Sequence, residues 1–222
     1  MSALAFLTPD ATSEQVVAKT PMERLARAAG GRFERREGWN VAVGFGDAAA
    51  ERTRIEKTVG FADRSSMRKL ELQGEGLAAL GYKPGVAERR EGAWWCPVTP
   101  SRVLVLDPAH AGSGVPELPD AVKAVDLTSG LAALALVGPG CRELLARFCA
   151  IDVRPAVTPV TGFRPGSVAR TPGYVLVEAE NQLLVLVGWA LGEYLWKVVE
   201  DAAERLGGGP VGADALSEGP HA

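Results

Sequence analysis

Along residues 60–80 the polar and apolar positions change rule partway. Residues 63–66 are all polar, which predicts an exposed loop. From Lys69 the pattern alternates, with Leu70 and Leu72 on one face and Lys69, Glu71 and Gln73 on the other, as in a strand buried on one side. Gly74 interrupts that strand, and a short helix is predicted from Glu75. The same order returns later: an apolar strand over 132–137, a break at Gly138, Pro139 and Gly140, and a helix over 141–148. This recurrence about Gly74 and Gly138 predicts two pseudo-equivalent units.

Earlier in the chain, Thr20, Pro21 and Glu23 mark a helix start, with Thr20 as cap and Glu23 completing a capping box. Met22, Leu25, Ala26 and Ala29 form its apolar stripe, which Gly30 and Gly31 end. Residues 32–37 and 38–44 read as strands, and 47–59 as a helix with Ile55 and Val59 inward. Residues 82–92 form a polar connection. Residues 93–98 and 102–106 form a hairpin, with Pro97 placing its first strand at a sheet edge or end. Residues 107–119 read as loop, with a short helix at 118–122 and a lead-in at 126–130. The second unit follows as strand 131–137, helix 139–149 and a Pro/Gly-rich crossing over 151–165. Strands at 167–170 and 173–178, or one strand broken at Pro172, lead to a strand at 182–187 and a helix at 190–206.

The order predicts an α+β protein of two ferredoxin-like pseudo-repeats, antiparallel sheets with helices packed on them, at about 60–125 and 126–206. They lie within a domain at 20–206, after an irregular lead-in at 1–19 and before a disordered tail at 207–222.

Composition narrows the function classes. Hydrophobic residues make up 47% of the 222, enough for a sizeable core. The net charge of −3 and the interleaving of Arg32, Arg35, Arg36, Arg89 and Arg90 with glutamates give no basic stripe, so nucleic acid is not an expected partner. No apolar run approaches the ~20 residues of a membrane-spanning helix. The first residues lack the basic segment of a secretory signal, and a cytoplasmic location is expected. Cys96, Cys141 and Cys149 form no CxxC pair, and His110 and His221 are far apart, so neither a disulfide framework nor a metal site is expected.

Several segments, in order, resemble the glycine-cleavage T-protein family. They are Gly38-Trp39, the run from Arg54 through Asp63 to Met67 with the strand into Gly74, the run from Leu134 to Gly140, the run from Arg170 to Tyr174, and Tyr194 to Lys197. The resemblance spans about residues 21–206 and implies ferredoxin-like units around a central folate channel. Three departures bear on function. The family's long hairpin carries a pair of aspartates, whereas residues 94–102 here carry none. The acidic residue that follows the family's glycine–tyrosine motif is also missing beside Tyr174, and no counterpart of the family's carboxy-terminal barrel follows. The shortened segment at 94–106 resembles the gamma subunit of heterotetrameric sarcosine oxidase, a small member of the same superfamily.

The resemblance implies tetrahydrofolate, not covalently held, as the cofactor. Met67 matches a position near the pterin, although a methionine there equally fills a core. Tyr174 and Glu178 are the candidate clamp and hydrogen-bond partner, and Arg170 a candidate for the folate carboxylate. Asp63 opens the loop and suits an Asx turn. No residue is assigned a catalytic role. Trp94 and Trp95 are adjacent, so on a strand they point to opposite faces, and one is expected in an interface. The unbroken apolar run from Val103 to Leu106 points the same way. The expected partners are flavoprotein oxidase subunits or a second copy of the chain, making this a gamma-like, non-catalytic subunit. The alternatives are an active folate-dependent aminomethyltransferase or methyltransferase, and a free-standing scaffold or ligand carrier.

Overall fold

In the computed structural model, residues 16–108 and 121–217 are described. The expected loop over 107–119 and the short helix at 118–122 fall largely outside them. The chain opens with β1 (Ala18–Lys19), α1 (Glu23–Ala28), β2 (Arg32–Arg36), β3 (Trp39–Gly44) and α2 (Ala48–Lys57). β4 (Gly60–Asp63) and β5 (Arg68–Gln73) follow, then a 3-10 helix over Glu75–Leu80. β6 (Glu88–Arg90), β7 (Ala93–Thr99), β8 (Arg102–Asp107) and β9 (Lys123–Asp126) complete the first half. The second contains β10 (Leu131–Val137), α3 (Cys141–Ala146), β11 (Phe163–Val168), β12 (Thr171–Ala179) and β13 (Gln182–Gly188). α4 (Gly192–Glu204), β14 (Gly209–Pro210) and α5 (Ala213–Ser217) end it.

The protein is α+β, with mostly antiparallel sheets and few helices. A small sheet of order β1-β3-β2 stands beside a six-stranded sheet, β11-β12-β13-β10-β4-β14, and a five-stranded sheet, β6-β7-β8-β5-β9. Five strands of the larger sheet match the five of the other in order, and β14 is an added edge strand. β5 and β10 each leave their sheet at a glycine, Gly74 or Gly138, and lead into a helix. The strand just ahead of each crosses over: β4 precedes β5 but pairs with β10, and β9 precedes β10 but pairs with β5. The two halves are thereby stitched together by main-chain hydrogen bonds.

Alternation along the strands sorts the core into layers. From β10, Leu134 and Leu136 pack with Leu25, Leu144, Leu195 and Trp196 beneath the helices, whereas the smaller Ala133 and Ala135 face Trp94, Leu104 and Leu106 of the other sheet. A third cluster, with Leu72, Leu77, Trp95 and Val105, lies on the outer side of the five-stranded sheet. Among the described residues no helix is long and apolar enough to cross a membrane.

Several expectations are corrected. Both faces of β5 are covered, so Lys69 and Glu71 are buried along with Leu70 and Leu72. Thr20 does not cap α1; its hydroxyl donates to Asp63 Oδ2 at 2.5 Å, and Glu23 pairs with Arg27. Ala169 and Arg170 form the turn between β11 and β12, both at positive φ, so the strand expected at 167–170 instead spans Phe163–Val168 and ends before them. Residues 209–217, expected to be disordered, form β14 and α5, with Val211 fully packed. The run Val103 to Leu106 is apolar because β8 is covered on both faces: Val103 and Val105 join the outer cluster, Leu104 and Leu106 the inner one. Pro97 does sit on the open side of β7, since β6 reaches only Ala93 to Trp95.

Candidate functional site

The segment at 63–67 carries the chain from one large sheet to the other, and its own polar groups shape the crossing. Asp63 Oδ1 accepts from Ser65 N at 2.8 Å, the Asx turn expected of it. The Arg64 amide donates to Ala133 O, and Ser65 Oγ accepts from Ala133 N at 3.1 Å, tying the loop to β10. From below, Lys69 Nζ donates to Ser65 O at 2.7 Å and to Met67 O at 2.8 Å. Burial pushes the Lys69 ammonium down to about 8, with Asp63 and Asp126 pulling the other way. Burial likewise raises the Asp63 carboxyl above its ordinary value, against hydrogen bonds from Ser65 and Thr20.

This rigid loop aims Arg64 and Met67 inward. Arg64 Nη1 donates to Glu178 Oε2 at 2.8 Å, and Gln182 Nε2 donates to the same oxygen at 2.9 Å. The other oxygen, Oε1, accepts from Trp94 Nε1 at 3.1 Å. Glu178 and Arg64 form a shielded pair whose side chains are 6% and 17% exposed. Above them opens a cleft of about 380 Å³, lined among others by Asp63, Arg64, Met67, Gln182, Arg36 and Leu216. Glu178 does not line it, because Arg64 and Gln182 lie between.

Of the four residues proposed for folate, the structure brings Met67 and Glu178 to this neighbourhood. Tyr174 packs in the same inter-sheet layer, its ring stacked on Phe163 at 5.5 Å and 9°. Arg170 is not part of the group. It is exposed in the β11–β12 turn, eight residues up the strand from Glu178, or about 25 Å at ~3.3 Å per residue. The expected interface tryptophans are corrected too. They do point to opposite faces, but Trp94 is 6% exposed and Trp95 1%. Trp95 stacks on Tyr82 at 5.8 Å, and Trp94 belongs to the site. Arg64, Gln182 and Lys69 were not singled out from sequence. Arg64 and Lys69 flank the Asp63 loop, which was the one available signal; Gln182 had none.

A pterin asks for a slot between two walls and a carboxylate free to accept from its N–H edge. Here both oxygens of Glu178 are already engaged by this chain's own donors, Tyr174 is stacked internally, and Met67 is 2% exposed. The residues present therefore do not fit a folate at Glu178. Among the described residues, no group of three or more side chains fits a metal ion.

No family model matches the chain. Over 65 residues it is 39% identical to the aminomethyltransferase of Picosynechococcus sp., a stretch covering 29% of this chain. That match spans only 18% of the length of the curated relative. Two solved structures share the fold. A chain of heterotetrameric sarcosine oxidase from Corynebacterium sp. U-96, in complex with pyrrole 2-carboxylate, superposes with a TM-score of 0.61 at 19% identity, over 85% of this chain and 96% of that one. Glycine cleavage system aminomethyltransferase T from Bartonella henselae superposes with a TM-score of 0.68 at 16% identity, over 90% of this chain and 60% of that one. The chain shares its fold with both of these proteins.

Proposed function

We propose that this chain is a non-catalytic, gamma-like subunit that assembles with flavin-dependent chains of a sarcosine or related amine oxidase in the cytoplasm. The observation that carries the reading is the hold on Glu178, and the fold shared with a chain of heterotetrameric sarcosine oxidase supports it. Aminomethyl transfer asks for a carboxylate placed to orient the folate nitrogen and manage its proton. The β7–β8 turn at Pro100 and Ser101 carries no carboxylate, and Glu178 is held by Arg64, Gln182 and Trp94. The test is co-expression with candidate flavoprotein subunits followed by sedimentation. A stoichiometric complex is expected; a chain that stays monomeric with every such subunit overturns the reading.

A second reading, a folate-dependent aminomethyltransferase or methyltransferase, is favoured by the 39% identity to an aminomethyltransferase over 65 residues. Turnover of tetrahydrofolate with an aminomethyl donor, above the uncatalysed rate, would establish it.

A further inference from the structure

We infer that Trp94 fills a space between the two large sheets whose emptying exposes a site for a planar heterocycle with a ring N–H. The inference concerns this chain's own side chains and does not rest on the subunit reading.

The division of donors at Glu178 is the central observation. Arg64 and Gln182 both serve Oε2, whereas Oε1 accepts from the indole N–H of Trp94. Withdrawing the indole leaves a charged acceptor facing an empty, mostly apolar space, and such an acceptor is costly until a donor fills it. The rest of the space suits a flat ring. Met67, Leu106 and Phe163 belong to the same packed cluster, and the exposed Arg89 lies over the indole at 5.5 Å from its centroid.

The neighbouring tryptophan supplies the contrast. Trp95 is more deeply buried, yet its Nε1 has no hydrogen-bond partner. The fold therefore tolerates a buried indole here without an acceptor. The pairing of Trp94 with Glu178 is a separate feature, and it reproduces what a bound heterocycle would offer: a flat apolar body and one N–H aimed at a carboxylate.

The test uses Trp94→Gly and Trp94→Ala in the full chain, with indole as probe and benzothiophene as a ring of like shape lacking the N–H. Calorimetry and thermal melting read the outcome. Indole is expected to bind the variants and raise their melting temperature, with benzothiophene weaker by about ten-fold or more. The unaltered chain should bind neither probe, nor tetrahydrofolate. Variants that bind neither probe, or both equally, overturn the inference. Stoichiometric tetrahydrofolate binding by the unaltered chain also overturns it, and that measurement stands even if the glycine and alanine variants fail to fold. Failure of the subunit reading shows instead in sedimentation and leaves these binding results untouched.

Discussion

Asp63 and Asp126 hold equivalent places in the two halves and act alike. Asp63 lies opposite Leu134 of β10 and accepts from Ser65 N at 2.8 Å; Asp126 lies opposite Leu70 of β5 and accepts from Thr128 N at 2.7 Å. The loops they open repeat the pattern: Ser65 Oγ accepts from Ala133 N, and Thr128 Oγ1 from Lys69 N. The Arg64 amide donates to Ala133 O, and the Leu127 amide to Lys69 O. Symmetry breaks at the side chain that each loop embraces. In one half it is Ala133, with nothing further to give. In the other it is Lys69, whose ammonium returns to the carbonyls of Ser65 and Met67.

That break predicts a pH dependence. Burial holds the folded pKa of Lys69 at about 8 against an ordinary 10.5. Between those values the unfolded chain binds more protons, so this group's contribution to stability rises with pH, and below about 8 its full cost is present. Cys96 acts in the opposite sense, because burial raises its thiol pKa well above the ordinary value and favours the protonated folded form. Comparison with Lys69→Met isolates the lysine. The stability of the natural chain relative to that variant should increase by on the order of 3 kcal/mol between about pH 7 and about pH 10.5, read from urea unfolding. A constant difference would show that Lys69 titrates normally.

The glycines that end β5 and β10 are predicted to be irreplaceable. Gly138 has φ +109°, and a Cβ there would stand 2.7 Å from Thr58 O; at Gly74 it would stand 2.2 Å from Ala121 O. Gly38 also has positive φ, but open space around it. Substitution by alanine should cost about 3 kcal/mol or more at Gly74 and Gly138, where backbone must move, and about 1 kcal/mol at Gly38. Equal losses at all three positions would remove close packing as the reason for the two strand-exit glycines.

These glycines were legible in the sequence because a break after an apolar strand leaves a local mark. What was not legible depends on partners remote in the chain. Lys69 and Glu71 alternate with leucines as a solvent-facing row would, and only the second sheet, with the 63–67 loop, turns that row inward. Trp94 looked like an interface residue because nothing local reveals Glu178, 84 positions away. The Asx turn at Asp63 was legible, being complete within three residues.

Fluorescence quenching checks the corrected tryptophan placement. Of the five tryptophans, Trp94, Trp95 and Trp196 are buried, whereas Trp39 and Trp189 are half-buried and pack together at 6.0 Å. Acrylamide should reach that pair alone, and Trp39→Phe with Trp189→Phe should abolish the accessible fraction. An accessible fraction that persists in the double variant would return Trp94 or Trp95 to the surface.

The segment beyond Gly208 has no apolar periodicity, yet it is held by contacts that only the folded chain provides. β14 pairs in parallel with β4, and Arg54 Nη1 donates to Pro210 O at 3.1 Å. Asp214 accepts from Arg36 at 2.6 Å. The decisive tie is Glu51. It is 3% exposed, with one oxygen accepting from Phe45 N at 2.6 Å and the other from Gly212 N at 2.6 Å. Gly212 is confined there, since an added Cβ would lie 2.0 Å from Val43 O. A single carboxylate thus joins the end of β3 to the link between β14 and α5. Glu51→Ala should leave two buried amides unpaired and cost on the order of 2–4 kcal/mol, whereas Asp214→Ala, breaking a half-exposed ion pair, should cost about 1 kcal/mol or less. Hydrogen exchange distinguishes the two by place. In Glu51→Ala the amides of Phe45, Gly212 and Val211 should lose protection together, with β10 unaffected. Retained protection at Gly212 would mean that β14 and α5 are held by packing of Val211 and Leu216 alone.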